Sequence, residues 1–196
     1  LTETSPVAST NQYGNQSRLG TVGIPVPGTA MKVIDDEGAE QPLGERGELC
    51  IKGPQVMKGY WQQPAATAEA LDAEGWLKTG DIAVIDEDGF VRIVDRKKDL
   101  IIVSGFNVYP NEIEDVVMAH PAVANCAVIG VPDERTGEAV KLFVVARAEG
   151  VSLEELKNYC KTNFTGYKVP KHIVLRESLP MTPVGKILRR ELRDIA

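Results

Sequence analysis

The chain has 196 residues, 43% of them hydrophobic and 26% charged, with a formal net charge of −6. That balance belongs to an ordinary globular protein; it excludes a disordered chain and argues against a general nucleic-acid binder. No apolar run approaches the roughly 20 residues that span a bilayer, and neither a membrane span nor a signal peptide is expected within these residues.

Cys50, Cys126 and Cys160 are widely spaced, without a CxxC pair. They fit reduced thiols in a cytoplasmic protein, and fit neither a disulfide scaffold nor a zinc site. With only His120 and His172 present, a histidine-based metal centre is not expected. The chain starts at Leu1, inside a motif-like Leu1-Thr2-Glu3-Thr4, and reads as a piece of something longer.

In chain order, residues 1–30 are loop-like, rich in Thr, Ser, Asn, Gly and Pro. Strands are expected at Ala30–Asp35 and Glu48–Gly53, and a short helix at Pro64–Leu71, where proline is tolerated near the start and alanines favour the rest. Ile82–Ile85 and Phe90–Val94 flank Asp86-Glu87-Asp88-Gly89, a good hairpin signal. This first part, residues 1–97, should be β-rich and antiparallel, packed as a barrel or sandwich.

The character changes over residues 98–196. Ile113, Val116 and Val117 share one helical face after Pro110, acidic residues crowd the first turns, and Pro121 ends the helix. Strands are expected at Val123–Val131 and Ala139–Ala146. Ser152-Leu153-Glu154-Glu155 is a capping box opening a helix to about Phe164. A strand at Lys171–Leu175, a turn at Met181–Lys186 and a helix at Leu188–Ile195 close the chain. The fold class is α+β: a β-rich piece, then a small α+β domain with helices packed on a short sheet.

Between the two parts lies Arg96-Lys97-Lys98-Asp99, four charges between apolar runs. A charged hairpin turn is one reading; a solvated joint between domains is the other. Three residues offer chemistry. Asp81, after Thr79-Gly80, reads as a carboxylate presented by a glycine turn before a strand, able to accept two hydrogen bonds from a ribose diol, although Asp after Gly is also a common turn. Arg96 is a rigid fork of donors for a ribose or phosphate, or a surface ion-pair partner. Lys186, ending Thr182-Pro183-Val184-Gly185-Lys186, can put a positive charge on a transferring phosphoryl or carboxyl oxygen, or simply be solvated.

Five stretches in order, LTET, GELCIKGPQVMKGYW, GWLKTGD, VDRKKDLIIVSGFNVYPNEIE and LPMTPVGKILRREL, resemble the adenylate-forming (acyl-CoA synthetase, AMP-binding) family. The wording of RKKDLIIVSGFNVYPNEIEDVV and TGYKVPK is most similar to bacterial long-chain fatty acid–CoA ligases. The resemblance implies that the first part belongs to the β-barrel of a large domain and that the second is a small mobile domain.

It also implies an ATP-dependent ligase. A fatty acid is adenylated with release of pyrophosphate, and coenzyme A then takes the acyl group. Thr2 would contact the α-phosphate, Glu3 would hold Mg²⁺, and Asp81 with Arg96 beside it would grip the ribose. Lys186 would stabilise charge in the first step. Lys98 would be the hinge. Ser104 and Gly105 would guide coenzyme A, with no Cβ at 105 to block the pantetheine arm.

The Gly/Ser/Thr-rich phosphate loop of the family is absent from these residues, so this piece alone is expected to be inactive. Position 102 is Ile where luciferases carry a lysine. The resemblance leaves open another adenylate-forming ligase (short-chain or aryl acid, or peptide-synthetase adenylation domain) and a non-catalytic nucleotide- or partner-binding module. A fatty substrate is compatible with peripheral contact at the inner membrane. Chain-length preference and oligomeric state are not encoded in these residues.

Overall fold

Alternating apolar residues build the first sheet. Strands β3 (Ala30–Ile34), β4 (Arg46–Lys52), β5 (Leu77–Ile85) and β6 (Val91–Arg96) pair antiparallel in that order. Val33, Leu49, Ile51, Ala83, Ile85 and Val91 meet in its core. The structure, a computed structural model, describes residues 1–11, 17–148 and 150–195. β1 (Ser9–Thr10) and β2 (Ile24–Pro25) form a separate antiparallel pair. Helix α1 (Pro64–Ala70) has its proline in the first turn, where a missing N–H costs nothing. In the β5–β6 turn the Asp86 carboxylate accepts from the amides of Asp88 and Phe90 at 3.1 and 2.9 Å.

The second sheet is organised around β10 (Gly137–Ala146). β9 (Val123–Asp133) pairs antiparallel with it, and β11 (His172–Arg176) pairs parallel. A small hairpin, β7 (Ile101–Val103) and β8 (Phe106–Val108), joins at the start of β10 through Val103 and Gly137.

Alternation along β9 and β10 gives this sheet two apolar faces. Cys126, Val128, Val140, Leu142 and Val144 pack with residues of α2 (Pro110–Met118) and α3 (Leu153–Asn163). Ala127, Ile129 and Phe143 pack with Leu179 and with Leu192 of α4 (Arg189–Asp194). Ser152 caps α3, its hydroxyl accepting from the Glu155 amide at 3.1 Å, as the capping box requires. The chain divides into two compact units, Leu1–Lys98 and Asp99–Ala196. No helix among the described residues is long and apolar enough to cross a membrane.

Three details differ from the sequence reading. Thr79-Gly80-Asp81 is not a turn before a strand. It lies inside β5, where the register with β4 slips between Glu48 and Cys50, and Gly80 has φ +70°; a glycine at positive φ serves a bulge as well as a turn. β8 escaped notice because its three residues, Phe106–Val108, are too few for the roughly four to eight from which an alternation is read. The charged stretch is not uniformly solvated, because Asp99 is buried.

All three cysteines are free and buried. Burial pushes the thiols of Cys50 and Cys160 up to about 11 and that of Cys126 up to about 12. Thiolate is the reactive form. At pH 8 a disulfide reagent should therefore react slowly with the native chain and rapidly, at three sites, in urea. Rapid labelling of any one cysteine in the folded chain would contradict this environment.

Candidate functional site

The bulge in β5 turns Asp81 toward the end of β6. Asp81 stands opposite Arg96 in the register, and the Arg96 Nε lies 2.8 Å from Asp81 Oδ1. The bulge is held from behind: the Thr79 hydroxyl donates to the Leu49 carbonyl at 2.8 Å and accepts from the Asp81 amide at 3.1 Å. Glu48, a carboxylate inside β4, accepts from the Gly80 amide at 3.1 Å and from Lys97 Nζ at 2.9 Å. Lys97 also reaches Asp36 at 3.2 Å. The hydrogen bond to Glu48 is the leading cause that holds the Lys97 ammonium above its ordinary range.

Thr2 and Glu3 lie on a single 3-10 turn, Thr2–Thr4. Thr4 fixes it: its side chain is buried and its hydroxyl lies 3.2 and 3.1 Å from the carbonyls of Leu1 and Pro6. Thr2 is exposed and Glu3 half-buried. Tyr60 donates to Glu3 Oε1 at 3.1 Å, and the Met57 amide donates to the Glu3 carbonyl at 2.8 Å. Partial desolvation and then the contact with Glu3 raise the Tyr60 phenol. Among the described residues no group of three or more His, Cys, Asp or Glu side chains is gathered as a metal site. Glu3 thus stands as a single carboxylate with one oxygen engaged.

Three consecutive residues at the joint behave differently. Lys97 is tied to Glu48 and Asp36, both in the first unit. Asp99 is tied to Arg193 at 2.7 Å, in the second. Lys98 between them is exposed.

In the second unit, Ser104 and Gly105 form the β7–β8 turn with φ +52° and +83°. Two successive positive φ values are what a two-residue hairpin turn needs. A Cβ at 105 would meet no protein atom within 4 Å, so within the chain it is this backbone angle that calls for glycine. Beside the turn opens a cavity of about 410 Å³, lined among others by Ser104, Arg135, Thr136, Tyr167 and Lys171. The Phe106 ring stacks on Tyr167 with centroids 4.7 Å apart. Lys171 and Thr136 both bind Asp133, and hold its carboxyl well below the usual range.

Lys186 is exposed at the end of a tight turn. The Thr182 amide donates to the Lys186 carbonyl at 2.8 Å, and the Lys186 amide to the Thr182 hydroxyl at 3.0 Å. The structure thus brings Asp81 and Arg96 into direct contact, ties Glu3 to Tyr60, and sets Ser104 on a cavity wall. The sequence reading missed Glu48, Tyr60, Arg135 and Tyr167. Glu48 lay inside a quoted motif, and a carboxylate within an apolar strand is the signal that could have found it.

Comparison with known proteins covers both units. Residues 1–61 match the family described as AMP-binding enzyme, and residues 112–186 match the AMP-binding enzyme C-terminal domain. A long-chain-fatty-acid–CoA ligase of Escherichia coli O6:H1 is 59% identical over 196 residues, 100% of this chain and 35% of that relative. The chain therefore spans about a third of the length of the curated relatives it matches. Among solved structures, ATP-bound MatB from Rhodopseudomonas palustris superposes with a TM-score of 0.92 at 38% identity, covering 100% of this chain and 39% of the other. The o-succinylbenzoate CoA synthetase of Bacillus subtilis, in complex with the acyl-adenylate intermediate OSB-AMP, gives 0.86 at 36% identity, covering 99% of this chain and 40% of that one.

The positive φ of Gly105 makes a stability prediction. Gly105→Ala should destabilise the chain by about 1–2 kcal/mol, the cost of a left-handed residue bearing a Cβ, read from urea unfolding. An unchanged midpoint would contradict the turn geometry.

Proposed function

The chain belongs to the AMP-binding enzyme family, and from that premise we propose that it is the C-terminal part of an ATP-dependent long-chain fatty acid–CoA ligase. In the first half-reaction the fatty acid carboxylate attacks the α-phosphorus of ATP, giving acyl-adenylate and pyrophosphate. In the second the thiol of coenzyme A attacks the acyl carbonyl, giving the thioester and AMP. The 59% identity of the E. coli ligase over all 196 residues supports this choice of substrates.

The observation that carries the reading is the Asp81–Arg96 pair at 2.8 Å. The bulge presents a carboxylate whose rotamer is fixed by the guanidinium, and its acceptor sites suit the two hydroxyls of a ribose. Arg96 keeps half its side chain exposed, so donors remain for the nucleotide. Thr2, exposed on its turn, contacts the α-phosphate. Glu3 suits Mg²⁺, which is usually held by one or two carboxylates together with substrate phosphates; the ion would neutralise phosphate charge.

Lys186 places its ammonium on the oxygens that gain charge during adenylation. The cavity beside Ser104 receives coenzyme A, with Arg135 and Lys171 on its wall for phosphate and the thiol arm led past Gly105.

Two half-reactions over one nucleotide need different neighbours, and rotation about a few backbone angles supplies them. Lys98 is the pivot. Its neighbours are anchored to opposite units, Lys97 through Glu48 and Asp99 through Arg193, so torsional change concentrates on the residue between them.

In the full-length enzyme, Lys186→Ala should slow adenylation by about 10²–10³-fold, the scale of one lost charge-stabilising group, and spare thiol attack on supplied acyl-adenylate. Equal loss of both steps would reject the role given to Lys186.

A further inference from the structure

The turn that carries Lys186 runs directly into α4, a helix of six residues, Arg189–Asp194. A helix so short has little stability of its own, so its contacts determine where it sits. One contact is apolar: Leu192 is fully buried against Ala127, Ile129, Phe143 and Leu179. Apolar burial is non-directional, and by itself it leaves α4 free to slide or turn.

The directional contacts come from two arginines one helical turn apart. Arg189 Nη2 reaches Glu114 of α2 at 2.7 Å and Asn111 at 2.8 Å. Glu114 is itself fixed, accepting from the Val128 amide at 2.7 Å. Arg193 Nη2 reaches Asp99 Oδ1 at 2.7 Å, and Arg189 Nη1 lies 3.9 Å from Asp99 Oδ2. The Asp99 side chain is only 8% exposed and the Glu114 side chain 13%, so neither carboxylate has water as an easy substitute for its arginine. Asp99 is the residue that directly follows Lys98. One ion pair therefore joins the first residue beyond the joint to the helix that begins three residues after Lys186.

We propose that Asp99 and Arg193, backed by Arg189 on Glu114, are positioning residues. They lock the Lys186 turn to the chain at the pivot, so that rotation at Lys98 carries the lysine as part of a rigid body. This rests on the function proposed above. A charge displaced by about 1 Å loses much of its effect on a transition state, a loss that reaches about 10²-fold. Without the clamp the ammonium arrives over the nucleotide in a spread of positions. The hairpin carrying Ser104 and Gly105 has its own attachment, through the Ser104 amide to the Thr136 carbonyl at 2.8 Å, so thiol attack does not depend on α4.

The test uses the full-length enzyme and measures adenylation and thiol attack on supplied acyl-adenylate separately. Asp99→Asn and Arg193→Gln should each slow adenylation about 10-fold or more, within the range that misplacement produces, and slow the thiol step, which shares only the pivot anchor, by clearly less. The double variant should be no slower than the slower single variant, and Arg193→Lys should recover part of the rate. Equal loss in both steps, or losses that multiply in the double variant, would overturn the clamp. Lys186→Ala is measured alongside. If it abolishes adenylation while Asp99→Asn and Arg193→Gln leave both steps at the normal rate, the clamp fails and the proposed function stands. If Lys186→Ala leaves adenylation intact, the role given to Lys186 fails and the clamp with it; if the unaltered enzyme forms neither acyl-adenylate nor acyl-CoA from a fatty acid, the proposed function itself fails.

Discussion

Carboxylates buried around one charged stretch constrain everything else in this chain. Glu48, Asp95 and Asp99 are each less than a tenth exposed. A buried anion without a donor is costly, so each needs a partner in a set place. Glu48 takes the Gly80 amide and Lys97, which fixes both the bulge and the end of β6. Asp95 accepts from the Arg96 amide at 2.7 Å, steadying the residue that pairs with Asp81. Asp99 takes Arg193. The same demand for partners therefore shapes the Asp81–Arg96 pair, anchors each flank of the joint, and leaves Lys98 as the exposed residue between the anchors.

Much of this was legible in the sequence where the cause is local. The Asp86–Gly89 hairpin, the Ser152–Glu155 cap and the proline at the head of α2 are each decided within a few residues, and all form. The two-unit architecture followed from the change from strand alternation to helical periodicity near residue 98. Five motifs in order pointed to a family because each carries its own chemistry.

What stayed hidden depends on distant partners. Lys97 meets a carboxylate 49 residues earlier, and Arg193 meets one 94 residues earlier. No local pattern distinguishes those side chains from solvated ones. Gly80 was ambiguous for a different reason, since a positive φ suits a turn and a bulge alike. The Phe106–Val108 strand was hidden by its length of three residues, and its place is set by pairing with Ile101–Val103 and by the buried Val108.

The account turns on movement of Lys186 relative to Asp81 about Lys98. The three thiols of this chain are buried, so in a full-length enzyme cleared of any other reactive cysteine, spin labels can be placed on cysteines introduced at Glu87, in the exposed β5–β6 turn, and at Val184, 80% exposed in the lysine turn. The most direct measurement is the distance distribution between these labels in the full-length enzyme, first with ATP and then with acyl-adenylate and coenzyme A. The account predicts two separate distributions, one for each half-reaction, exchanging as the ligands are exchanged. A single distribution, unchanged in both states, would contradict it.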